Sequence, residues 1–73
     1  MKKWYVMEVS DRNSKREYSA KIETDSLVQA KRLASKAQSF QGTILYLGTS
    51  LDEHYFVDDI VAIKDRSGHW HNV

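Results

Sequence analysis

Ser26-Leu27-Val28-Gln29-Ala30-Lys31-Arg32-Leu33-Ala34-Ser35-Lys36-Ala37 is the stretch on which the fold turns. The Ser26 side chain can accept from the first free backbone N–H groups of a helix, and Gln29 three residues later completes a capping-box pattern. Asp25 adds negative charge at the positive helix end. Leu27, Ala30, Leu33, Ala34 and Ala37 then recur at helical spacing. They define a narrow stripe of mostly small side chains, suited to lying close against a sheet. Gly42 supplies a left-handed stop just beyond Phe40.

On either side of this helix the pattern changes to strands. Upstream, Trp4 to Val9 is rich in aromatic and β-branched residues and ends in the polar cluster Ser10 to Lys15, which reads as a turn. Glu17 to Glu23 then alternates, with Tyr18, Ala20 and Ile22 on one face, and predicts a half-buried second strand of an antiparallel hairpin. Downstream, Thr43 to Leu47 opens a strand that is expected to end at Gly48. Residues 49–59 are polar and acidic around Tyr55-Phe56-Val57 and carry no assignment. Ile60 to Lys64 is apolar on both faces, as in a covered strand, and Asp65-Arg66-Ser67-Gly68 makes a turn. His69 to Val73 pairs back as an edge strand. The expected class is α+β in the order β-β-α-β-β-β, one helix on one face of a mainly antiparallel sheet.

Seventy-three residues leave room for one hydrophobic core, so the chain is read as a single domain, 1–73. With 41% hydrophobic and 29% charged residues it is not a disordered chain. Cysteine is absent, which removes disulfides and thiolate metal sites. Glu8 interrupts the apolar run after Met1-Lys2-Lys3, leaving it too short for a signal-peptide core, and no run approaches the roughly 20 apolar residues of a membrane span. A cytoplasmic protein with no membrane association is expected. Net charge is +1, yet residues 1–36 hold nine Lys/Arg against five Asp/Glu, and residues 37–73 hold two against five. The molecule is electrically uneven unless folding interleaves its halves.

The opening Met1 to Val9, the hairpin and the helix from Ser26 to Ala34 together resemble small uncharacterised proteins of low-GC Gram-positive bacteria and their prophages. The resemblance implies a bacterial cytoplasmic setting and a mobile-element origin, and it carries no catalytic residues.

Three constellations could carry chemistry. His69 and His71, two apart on a strand, can share a metal with His54 or with Asp58 or Asp59, although a structural zinc site needs four converging ligands. The plainer expectation is that both histidines face solvent while Trp70 between them packs inward. Arg12, Lys15 and Arg16 in the first turn, with Lys31, Arg32 and Lys36 on the helix, form a candidate nucleic-acid-binding set. Some of Trp4, Tyr5, Tyr18, Tyr46, Tyr55 and Trp70 are expected on a sheet face that one helix leaves open, where aromatics centre protein interfaces or stack on bases. Gly42, Gly48 and Gly68 stand apart and form no phosphate-binding loop, and no nucleophile signature appears. No catalytic residue, cofactor or small-molecule substrate is assigned. The reading is a non-enzymatic protein-interaction module, self-associating or with another protein, with nucleic-acid binding as the alternative.

Overall fold

The computed structural model describes residues 1–10 and 18–73. Its elements are β1 (Lys2–Val9), β2 (Ala20–Thr24), α1 (Leu27–Ala37), β3 (Ile44–Leu51), β4 (Val57–Lys64) and β5 (Trp70–Asn72). The strands form one antiparallel sheet in the order β2-β1-β3-β4-β5. The expected α+β class and element order hold.

The helix begins where its cap dictates, with Ser26 Oγ accepting from the Gln29 N–H at 3.0 Å. Ala30 and Ala34 are fully buried, and their small side chains let α1 lie close over Trp4, Val6, Ile22, Leu45, Leu47 and Ala62. The stripe is narrower than its spacing suggested. Leu33 is 38% exposed and Ala37 is exposed, because a helix resting on a sheet buries only the residues directly above it.

Strand register fixes which side chains share a face. Glu8, Leu45, Lys64 and Trp70 form one row across the sheet on the helix side, and Met7, Tyr46, Ile63 and His71 form the next row on the other. Two expected boundaries shift. The second strand starts at Ala20, and Tyr18 leaves the face of Ala20 and Ile22 to set its ring edge-on against Tyr5. The third runs through Gly48 to Leu51.

Residues 49–59, unassigned from sequence, are the far half of the β3–β4 hairpin. A bulge falls where Leu47 pairs with Ala62 but Gly48 pairs with Ile60, leaving Val61 as the extra residue. Beyond it the hairpin bends away from the helix, so that Val57 and Leu51 join Met7, Val9, Ile44, Tyr5 and Tyr46 in a second apolar cluster. The bend explains Gly48. A Cβ there would stand 2.2 Å from the Asp58 carbonyl oxygen and 2.5 Å from Val57 Cγ1. At the tip, Asp52 Oδ1 accepts from the N–H groups of His54 and Phe56, and Tyr55, held at φ 64°, accepts from the Tyr18 N–H at 3.0 Å. The sheet face opposite the helix is therefore partly roofed by its own hairpin and keeps part of the expected aromatic set, with Tyr5 and Tyr46 half-buried on it. Trp4 and Trp70 pack on the helix side, and Tyr5 and Tyr46 on the hairpin side.

Candidate functional site

Glu8, which interrupts the apolar run of β1, organises the loop that follows the helix. Alternation puts it on the helix side of β1, where it is only 8% exposed. Its Oε1 accepts from the Ser39 N–H at 2.8 Å, and its Oε2 accepts from the Phe40 N–H at 3.0 Å and from Thr43 Oγ1 at 2.8 Å. Burial pushes the carboxyl pKa up, but the three donors outweigh it and hold the group below its ordinary value. The loop is tied further by Gln38 Nε2 donating to Thr43 Oγ1 and by Lys64 Nζ donating to Gln38 Oε1. Gly42 turns the chain at φ 78°. The loop so fixed presents Phe40 with 69% of its surface exposed, beside a cleft of about 510 Å³ bordered by Ser39, Thr43, Ser10 and Arg66. Arg66 is steadied there by donating to the Ser10 carbonyl at 2.7 Å.

The basic residues divide. Arg12, Lys15 and Arg16 lie outside the described residues. Lys31, Arg32 and Lys36 come together on α1, where with Val28, Ser35 and Trp70 they line a shallow apolar groove between the helix and β5. Trp70 is half-buried, and its indole N–H donates to Ser35 Oγ at 3.2 Å, so the ring turns only its apolar surface to the groove. Lys31 also donates to Asn72 Oδ1, which holds it at the β5 end.

The histidines do not assemble as a metal site. His54 is at the hairpin tip before β4 begins, while His69 and His71 follow the end of β4, so the strand separates them. Around the β4–β5 turn, Asp65 Oδ1 accepts from Ser67 Oγ and from the backbone N–H groups of Ser67 and His69, and Asp65 Oδ2 meets His71 Nε2 at 2.6 Å. These contacts, led by the Ser67 hydroxyl, hold the Asp65 carboxyl far below the usual carboxylate range. Among the described residues no group of three His, Asp or Glu side chains converges on a common point. Asp58 and Asp59, offered as further ligands, are occupied locally: Asp59 accepts from Ser50 Oγ, and Asp58 from the Asp59 N–H. Among the same residues no helix is long and apolar enough to cross a membrane.

No family model matches the chain. No curated protein matches it. Among solved structures it is similar to AcrIF9, with a TM-score of 0.75 and 35% sequence identity over 97% of this chain and 84% of that one.

Proposed function

We propose that this chain, which belongs to the AcrIF9 family, is a non-enzymatic anti-CRISPR protein of phage or prophage origin that acts by binding a CRISPR-associated protein complex in the bacterial cytoplasm. The observation that carries this is the 35% identity over 97% of this chain and 84% of AcrIF9. Fold likeness alone would leave function open, because one small α+β fold hosts many activities. The surface agrees with a binding role: a hydrogen-bonded loop displays an uncovered aromatic, and a cationic groove lies on the helix. The test is interference itself. Cells with an active CRISPR system that AcrIF9 inhibits are challenged with a targeted phage, with and without this chain, and the purified chain is passed over the effector complex on a sensor surface. Restored plaquing and saturable binding are expected. Failure of both, with AcrIF9 as the working control, overturns the reading. Light scattering of the free chain reports whether it self-associates.

A second reading is favoured by one observation, the gathering of Lys31, Arg32 and Lys36 around the Trp70 groove. Three cations with no carboxylate among the groove's lining residues suit phosphate contacts, either to free nucleic acid or to nucleic acid held in a complex. Titration against short single- and double-stranded oligonucleotides at 50 and 200 mM salt tests it. Phosphate contacts require affinity to fall steeply with salt, and salt-insensitive or absent binding rejects them.

A further inference from the structure

We infer that Phe40 is the anchor by which this chain grips its protein partner, and that the partner offers an apolar socket flanked by a carboxylate that meets Arg66. The inference rests on the protein-binding reading and goes beyond it by assigning the contact. Exposed apolar residues are common and need no explanation singly. Phe40 differs in how it is held. Its N–H is bound by the Glu8 carboxylate, and its carbonyl lies 2.9 Å from Thr43 Oγ1, whose single hydrogen it shares with Glu8. Desolvating a carboxylate is costly, and all three donors Glu8 gathers lie within residues 39–43. A buried charge spent on ordering an exposed loop is explained if the loop must be rigid before it binds, because ordering done in advance is not charged against affinity. Val28, another exposed large apolar side chain, lies in the cationic groove. Phe40 has no polar tip for water to satisfy, and aromatic side chains, phenylalanine among them, are enriched in protein interfaces. Arg66, steadied by Ser10 across that cleft, supplies the charge that orients the partner.

The experiment compares wild type, Phe40→Ala, Phe40→Leu and Arg66→Ala for melting temperature, affinity for the CRISPR effector complex and interference in cells. Phe40→Ala should melt within about 2 °C of wild type, as for a surface change, and should bind roughly 30-fold more weakly. Phe40→Leu should lose less, and Arg66→Ala should mainly slow association. If wild type binds and inhibits while Phe40→Ala does so equally well, the anchor is wrong and the family reading stands. If wild type neither binds nor inhibits, both fall. A large drop in melting temperature for Phe40→Ala makes Phe40 structural and overturns the proposal, as does a loss confined to oligonucleotide binding, which would make Phe40 a base-stacking surface.

Discussion

Replacing Glu8 by Gln tests the loop clamp with a change of one atom. In the protein, two carboxylate oxygens face three donors, the N–H groups of Ser39 and Phe40 and the Thr43 hydroxyl, and no hydrogen sits on the carboxylate. The amide of Gln must turn its NH2 toward at least one of those donors. One hydrogen bond to a charged acceptor is lost and a donor is left facing a donor, which costs about 1–3 kcal/mol. A domain of this size has roughly 4–11 kcal/mol in all, so the melting temperature should fall by about 5–20 °C at pH 7. The pH dependence makes the test specific. Because the folded carboxyl titrates below its ordinary value, its contribution is complete above the unfolded value of about 4.3 and is lost as pH falls through the lower folded value. A protonated carboxyl carries the same misplaced hydrogen as the amide, so wild type and Glu8→Gln should converge on acidification. Asp65, also held low, is common to both proteins and cancels in the difference. Thermal melts of the pair at pH 7, 5 and 3 measure the gap. A gap that stays constant with pH, or is absent at pH 7, refutes the clamp.

Gly48→Ala should cost about 3 kcal/mol, the upper end of ordinary overpacking, because the nearest obstacle is the Asp58 backbone oxygen at 2.2 Å and not a side chain that can swing away; unchanged denaturant midpoints would sink the account of the hairpin bend. Trp70→Ala should cost about 2 kcal/mol, less than a fully buried tryptophan, since the ring is half-buried on the helix side and gives up its bond to Ser35. His69→Ala and His71→Ala should leave the melting temperature nearly unchanged, both side chains being exposed. Added zinc should not raise it, and a zinc-dependent rise lost in His71→Ala would restore the metal site.

The parts of this fold legible in the sequence are those whose causes are local. Ser26 and Gln29 lie within one turn of each other, and the cap they predict is formed. Alternation around Trp70 assigns faces correctly because a strand leaves neighbours no choice. The role of Gly48 is not local. A glycine in a strand reads locally as a stop, whereas here it admits the carbonyl of Asp58, ten residues away, and lets the hairpin bend. The same bend covers part of the sheet face opposite the helix, which counting helices alone does not reveal.

Glu8 shows where such reading reaches its limit. Its position was informative: a carboxylate on the inward side of a strand, between Val6 and Leu45, must either find donors or unfold the sheet. The demand was visible, but the supply was not. The donors come from Ser39, Phe40 and Thr43, 31 to 35 residues on, and two of the three are backbone N–H groups that every residue but proline possesses. No side-chain pattern marks them. What could have pointed there is the coincidence of an unpaired inward acid at the end of β1 with an irregular segment, Gln38 to Thr43, that the antiparallel pairing of Val9 with Ile44 brings to the same end of the sheet. The loop that displays Phe40 is thus held by a charge in another strand, and a change at Glu8 should be felt at Phe40 without touching it.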